Sequence, residues 1–399
     1  MTAMKPIYLD YAATTPAAPE VIAAMQPYFG EIFGNASSLH DFGFRARQGI
    51  ETARSTIADF IGAAADDIIF TGSGTESNNI AVQGCVFAAG RVPAHIIISA
   101  VEHSSVYSTC TFLESLGHEL TVVPVDREGM VDSGAIEAAI KDTTVLISVQ
   151  YANNEIGTLQ PIARIGRIAE KHGIVFHTDA VQAFGKIPVN AVEQKITLLS
   201  AAGHKFYGPK GTGLLYVNRH ETTARLSARG IRPVQDTALQ PLMYGGPQEA
   251  GLRPATENTP GIVGLGKAVE LARDTMAATA DRERKLRDYA IGRLLSEIPG
   301  AALNGHRFER LPNNINLRFE GVSAYELVLL LDRHGIACSS GAACSSQSAK
   351  PSRVLAAIGL ISKEAAESLR LTLGKYTEKE DIDYVIAKLP ELITALKQV

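Results

Sequence analysis

The sequence predicts an α/β protein: a mostly parallel, seven-stranded sheet followed by a smaller α+β unit. Three features carry that expectation. Short runs rich in isoleucine and valine alternate with stretches of helical spacing through the first two thirds of the 399 residues. Alternation of this kind argues for parallel strands covered by helices on both faces. After about residue 258 the alternation stops, and a long helical stretch, isolated strand-like runs and a final helix take its place. The expected division is therefore a large unit over 15–258, with 1–14 and 259–399 forming the smaller one.

The seven strands are expected at "DIIF" (67–70), "HIIISA" (95–100), "ELTVVPV" (119–125), "TVLISVQ" (144–150), "GIVFHTDA" (173–180), "TLLSAA" (197–202) and "GLLYV" (213–217). Between them "TESNNIAVQGCVFAAG", "SSVYSTCTFLESLG" and "IARIGRIAEKHG" have helical spacing, and each closes on glycine, a common helix stop. The smaller unit opens with a helix over roughly 260–297 and continues through "NNINLRFEG", the helix "SAYELVLLLDRHG", the small-residue stretch "ACSSGAACSSQS", "ESLRLTLG" and a last helix. Open parallel sheets bind ligands at the carboxyl ends of their strands, so that rim is where function is sought.

Composition excludes several classes. Hydrophobic residues make up 46% and charged residues 20%, with a formal charge of −4, which gives no reason to expect direct contact with nucleic acid. No basic stretch followed by an apolar one opens the chain, and no apolar run reaches the length of a membrane span, so neither a secretory signal nor a membrane segment is expected. The four cysteines, at 85, 110, 338 and 344, form neither a disulfide framework nor paired zinc motifs. Cys85 and Cys110 read as buried small hydrophobes on helices, and a reduced, cytoplasmic enzyme is the expectation.

Chemistry gathers at the strand ends. "VFHTDAVQAFG" ends a strand at Asp179, with Gln182 shortly after, and Lys205 follows the next strand inside "GHKFYGPKGTG". An aspartate and a lysine so placed suit a pyridoxal phosphate site, the aspartate keeping the pyridine nitrogen protonated and the lysine forming a Schiff base. Read singly, Asp179 is equally a helix cap and Lys205 a solvated loop charge. "TGSGTES" (71–77) opens a helix with glycines and hydroxyls suited to a phosphate, although Ser73 or Thr75 would also serve as a plain cap. It is neither a Walker A sequence nor a dinucleotide fingerprint. His103 in "VEHSSV" follows another strand, where an imidazole can stack on a cofactor and move protons, or simply close a loop. "YANNEIG" sets Asn153, Asn154 and Glu155 at a fourth strand end. The convergence on one rim outweighs any single residue.

With those residues in view, the chain resembles the cysteine desulfurases of the NifS/IscS type, fold-type I pyridoxal-phosphate enzymes. The likeness runs nearly end to end, through "YLDYAATTP", "GNASSLHDFG", "TGSGTESNN", "EHSSV", "NNEIGTLQPI", "FHTDAVQAFGKI", "GHKFYGPKGTGLLYV", "GIVGLGKAVELA", "SSGAAC" and "LRLTLGKYTEKEDIDY". The resemblance implies pyridoxal 5'-phosphate as cofactor and a homodimer. It implies Lys205 as the Schiff-base lysine, Asp179 at the pyridine nitrogen, Gln182 at the phenolic oxygen, and His103 as the ring-stacking proton carrier. Thr75 and His204 would hold the phosphate, with Thr256 reaching it from the second subunit. Arg370, helped by Asn154, would clamp the carboxylate of the substrate, L-cysteine. Cys344 would take the sulfur as a persulfide and pass it to an acceptor protein, a scaffold for iron–sulfur clusters or a thiolation enzyme.

A nucleophile that must visit both the cofactor and an acceptor needs a moving carrier, which accounts for a thiol among glycine, serine and alanine. "CSSQSAKP" after it has the length of the longer-loop subgroup. Cys338, beside the apolar "HGIA" run, has no matching role and is assigned to packing. Departures from the family pattern are Ala202, where a phosphate-binding serine is usual, with Ser200 a candidate substitute; Pro247, Ala250 and Ala255 in "GGPQEAGLRPAT"; and Ala342. The competing readings are a selenocysteine lyase or aminotransferase on the same fold, and a non-catalytic adaptor, which an intact set of Lys205, Asp179, His103, Arg370 and Cys344 argues against.

Overall fold

The computed structural model describes residues 6–90, 92–231, 238–340 and 352–398. From the amino end, β1 (Ile7–Tyr8) precedes α1 (Pro19–Met25) and α2 (Asp41–Ile61). Then come β2 (Ile68–Thr71), α3 (Gly74–Ala88), β3 (His95–Ser99), α4 (Ser104–Ser115), β4 (Glu119–Val123), α5 (Ser133–Ala138), β5 (Thr144–Ser148), α6 (Ile162–Lys171), β6 (Val175–Asp179), β7 (Leu198–Ala202), β8 (Gly213–Val217) and α7 (Arg219–Ala228). The remainder is α8 (Thr259–Glu297), β9 (Ala301–Leu303), β10 (Asn314–Phe319), α9 (Ala324–Arg333), β11 (Ile336–Ala337), β12 (Ser339–Ser340), α10 (Arg353–Ala357), α11 (Ser362–Ala366), β13 (Ser368–Thr372) and α12 (Lys379–Lys397).

The seven expected strands form one sheet in the order β2-β8-β7-β6-β5-β3-β4. All pairs among β3 to β7 are parallel, and β8 alone runs against its neighbours β7 and β2. The reversal follows from chain length. Only 203–212 join β7 to β8, too few for a crossover helix, so the chain turns straight back. The central strands are buried along their whole length, while β4, at the edge, is partly exposed. Helices cover both faces, which splits the apolar interior into two layers, one under α2, α6 and the start of α8 and one under α3 and α4. The three helices expected to stop at glycine end two residues before Gly90, Gly117 and Gly173, all at positive φ.

A second sheet, β12-β13-β10-β9, is antiparallel and packs on α9, α12 and the carboxyl half of α8. The amino-terminal segment joins it: β1 pairs in parallel with β11, and Asp10 bridges to Thr372. The helix α8 serves both interiors, burying Ile262, Leu265 and Val269 in the first and Ala290, Ile291 and Leu294 in the second. No helix among the described residues is long and apolar enough to cross a membrane.

Candidate active site

Because β2, β3, β5, β6 and β7 point the same way, the segments leaving them meet at one rim. A cavity of about 370 Å³ opens there. Ser73, Gly74 and Thr75 reach it from β2, His103 from β3, Gln150 and Asn154 from β5, Asp179 and Gln182 from β6, and Ala202, His204 and Lys205 from β7. Ala12, Ala13 and Arg370 close it from the second sheet. Eight of the expected site residues are thus brought together: Lys205, Asp179, Gln182, His103, Thr75, His204, Asn154 and Arg370. Thr256 lies outside the cavity on the exposed surface. Cys344 lies outside the described residues.

Local sequence explains the positions. Ser73 caps α3, its Oγ accepting from the Glu76 amide at 3.1 Å, so the positive end of that helix borders the cavity. His103 caps α4, its Nδ1 accepting from the Ser105 amide at 3.2 Å. The plain capping reading of Ser73 therefore holds, His103 proves to be a cap as well, and both residues face the cavity.

A line of hydrogen bonds joins these groups. Asn78 Nδ2 donates to Asp179 Oδ2 at 2.7 Å and to Ser105 Oγ at 2.8 Å. Ser105 Oγ stands 2.7 Å from His103 Nδ1. The Val181 amide donates to Asp179 Oδ1 at 3.0 Å, which fixes the second carboxylate oxygen. Lys205 Nζ donates to the carbonyls of Ala12 and Ala13, each at 2.7 Å. His204 Nδ1 meets Thr14 Oγ1 at 3.1 Å; burial, then the charges of Lys205, Lys210 and Lys186, push this imidazole down to about 4. It is uncharged near neutrality.

On the opposite wall Arg370, fully buried on β13, donates from Nη2 to Asp10 Oδ1 at 2.8 Å and from Nη1 to the Asn154 carbonyl at 3.0 Å. Its buried Nε has no hydrogen-bond partner among the described residues.

Some expectations need correction. Ser200 cannot replace the serine that is usual at 202: it is buried in the sheet and bonded to His177 Nε2 at 3.0 Å. Of "NNE", only Asn154 lines the cavity. Asn153 is wholly buried and holds its own turn, Oδ1 accepting from the amides of Glu155 and Ile156 at 2.8 and 2.9 Å. Glu155 accepts from Ser352 Oγ. Sequence reasoning missed Asn78, Ser105, Gln150 and Asp10. Asn78 had a signal, since it lies one helical turn beyond Gly74 on the face toward the sheet. Asp10 stood in a stretch noticed only as a whole. Cys85 and Cys110 are buried on α3 and α4 as expected, and Cys338 packs partly buried on the second interior, burial pushing its thiol up to about 12.

Known proteins resemble the chain over nearly its whole length. The family model for aminotransferase class-V matches residues 7–385. Cysteine desulfurase IscS of Dictyoglomus turgidum is 48% identical over 393 residues, 98% of this chain and 96% of its own. A solved NifS-like protein superposes with a TM-score of 0.87 at 32% identity, over 98% of this chain and 100% of the other. SspA, solved in complex with cysteine, gives 0.80 at 36% identity, over 93% of this chain and 100% of its own.

Proposed function

The chain belongs to the aminotransferase class-V family, among its cysteine desulfurases, and on that premise we propose that it converts L-cysteine to L-alanine and carries the sulfur on Cys344 to an acceptor protein. One observation supports the site assignment above others: Lys205, Asp179, His103 and Arg370, from four separate elements, converge on one cavity.

The donor set fits pyridoxal 5'-phosphate. The Lys205 amine suits the carbonyl, the Asp179 carboxylate the ring nitrogen, and the Gln182 amide the phenolic oxygen. The phosphate suits the start of α3 with Thr75 and His204, where a Cβ on Gly74 would meet Val181 Cγ2 at 2.6 Å and crowd the helix end. When bound, the cofactor supplies an electron sink that eases loss of the α-proton and of sulfur from the amino acid.

Arg370 would bind the substrate carboxylate, sharing or replacing the contact with Asp10. Cysteine as substrate is supported by the ligand in the SspA structure. His103 faces the cavity, where an imidazole can take up or deliver a proton. In the transfer, the Cys344 sulfur bonds to the substrate sulfur as the carbon–sulfur bond breaks; the thiol proton balances the new C–H of alanine, and the enzyme keeps a persulfide. Both ends of the segment bearing Cys344 are tied near the cavity. Ser339 is in register with Arg370, and Ser352 with Arg353 is tied to Glu155, Ala100 and Glu102. From Ser340 to Cys344 the chain spans at most about 14 Å.

A homodimer is supported by the exposed aromatic side chains Phe29, Phe33, Phe42 and Phe44, of which Phe33 and Phe42 meet with ring centroids 5.4 Å apart, and by the outward position of Thr256. The free thiols of Cys85, Cys110 and Cys338 suit a reducing, cytoplasmic setting, and an iron–sulfur scaffold or thiolation enzyme suits the acceptor.

The test is turnover of L-cysteine by cofactor-loaded protein in the presence of a dithiol reductant, which reduces the persulfide, frees its outer sulfur as sulfide and is itself oxidised to a disulfide, with alanine and sulfide measured together. Equal amounts of both are expected; a keto acid would refute the reading. Cys344→Ser should abolish sulfide release and keep the cofactor's colour, whereas Cys338→Ser should leave turnover within a factor of two or so of wild type.

A further inference from the structure

One lysine stands behind the cavity wall. Lys186 follows Gln182 by one turn and does not itself line the active cavity. Its Nζ donates to the backbone carbonyl of Gln182 and to Oε1 of the same residue, each at 3.1 Å. The far end of that amide, Nε2, donates at 3.0 Å to the Ala12 carbonyl, which also receives Lys205 Nζ at 2.7 Å. Lys186, Gln182, Ala12 and Lys205 thus form one continuous line.

A side-chain amide has two orientations of nearly equal shape, and its partners choose between them. Here a flip would set Nε2 against an ammonium and Oε1 against the Ala12 carbonyl. Both contacts would change from attraction to repulsion. Lys186 also lines a second, small cavity of about 20 Å³ with Glu283 of α8, Tyr11 and Tyr207. Burial, then the neighbouring Lys205, pushes Lys186 down to about 7, and the Glu283 carboxylate works against that shift.

We propose that Lys186 is a positioning residue that fixes the Gln182 amide with Nε2 toward the active cavity, so that Gln182 meets the cofactor's phenolic oxygen as a donor. This rests on the reading above that the protein binds pyridoxal phosphate. A lysine that only filled space would affect folding and leave the cofactor's electronics alone.

The readout is the pH midpoint at which the visible band of the cofactor-loaded protein changes, measured without substrate. Lys186→Met should move that midpoint upward by roughly one pH unit, because the phenolic oxygen loses a dependable donor. Gln182→Ala should move it equally, the double variant no further, and Lys186→Arg should restore the wild-type value. If Lys186→Met does not fold, Lys186→Gln, whose shorter neutral side chain withdraws the ammonium, should give the same upward shift. An unmoved midpoint with only a lower melting temperature overturns the proposal, as does a double variant whose shift is the sum of the singles. Wild-type protein that develops no visible band with pyridoxal phosphate sinks the cofactor reading and this inference together; a normal wild-type band with unmoved variants sinks this inference alone.

Discussion

The two walls of the cavity are built on different physics. On the large-sheet wall, Asp179, Asn78, Ser105 and His103 form a hydrogen-bonded line drawn from the end of β6 and from α3 and α4, the helices that follow β2 and β3. On the facing wall Arg370 pairs with Asp10, 360 positions away in the chain, and leaves one buried N–H unused. The first wall holds its groups whether or not a ligand arrives. The second holds a charge whose protein partner an incoming carboxylate must share or displace. Rigid preparation on one side and exchangeable pairing on the other suit a constant cofactor and a substrate that comes and goes.

The strongest way to break that contrast is Arg370→Ala. It removes the carboxylate anchor and leaves Asp10 unpaired, so kcat/KM should fall by on the order of 100- to 1,000-fold, chiefly through KM. Cofactor colour should persist, since the large-sheet wall is untouched. Steady-state kinetics over a range of cysteine concentrations with a parallel absorption spectrum checks both halves. Loss of the cofactor together with the substrate would mean that the walls are not separable.

The same contrast explains what the sequence disclosed. Asp179, Lys205 and His103 each stand at or just past the end of a buried, mainly apolar strand, so their direction along the parallel sheet places them at its rim. The seven strands were legible for the same reason. Legibility failed where partners are distant or signals weak. Nothing near Asp10 announces Arg370, because the pair closes only when β1 adds beside β11 and Asp10 bridges to Thr372. The helix α2 went unnoticed although Ala46, Ile50, Ala53, Ile57 and Ile61 repeat at helical spacing on its buried face, since alanines dilute the apolar signal. The direction of β8 is a matter of connection length, which a run of apolar residues does not encode.

A second contrast lies beneath the large-sheet wall, where two buried groups are held uncharged. Glu102 accepts from Ser99 Oγ and, at 2.9 Å, from the Gln150 amide, while its Oε2 has no partner among the described residues. Burial pushes its carboxyl up from 4.5 to about 8. The folded protein therefore keeps a proton that the unfolded chain releases above 4.5, so this contribution to stability is complete below that value and lost as pH rises through about 8. His177, between Ser148 Oγ at 2.8 Å and Ser200 Oγ at 3.0 Å, is pushed down from 6.5 to about 3 by burial, and its contribution is lost as pH falls across that interval. Between 4.5 and 6.5 the slopes of these two groups oppose each other and largely cancel. Glu102→Gln keeps the shape and removes the alkaline loss, so the variant should gain on the order of 2 kcal/mol over wild type at pH 9 and little at pH 5. Glu283, raised to about 8 by burial, keeps part of the slope in either protein. Urea denaturation at the two pH values measures the difference, and an equal effect at both would show that Glu102 is not held neutral.

The phosphate end offers a smaller test. Ala202 lines the cavity without a hydroxyl, and its Cβ lies 3.5 Å from where a Cβ on Gly74 would stand, so Ala202→Ser places an oxygen beside the start of α3. A hydrogen bond to a charged group is worth roughly 1.5–3 kcal/mol, and after ordering the serine about tenfold tighter cofactor binding is expected. Titration of cofactor-free protein with pyridoxal phosphate reads it directly. Unchanged affinity would mean that the large-sheet wall is already complete without that hydroxyl.

The smallest effect concerns the turn before α8. Ala255 adopts φ +88°, a left-handed conformation that costs an L-residue roughly 1–2 kcal/mol and a glycine almost nothing. What holds it there is the surrounding pinning: its amide donates to Gln248 Oε1 at 3.2 Å, Arg253 pairs with Glu76 at 3.0 Å, and Glu249 is locked to Arg54 at 2.8 Å. Ala255→Gly relieves the strain but frees the unfolded chain, so the net gain should be only about 0.5 kcal/mol, a rise of one or two degrees in melting temperature, with kcat/KM unchanged. A fall in stability would mean that the unfolded-chain term outweighs the relief. A change in turnover would be more telling, because Thr256 is the next residue, and it would tie this strained turn to the large-sheet wall proposed to hold the phosphate.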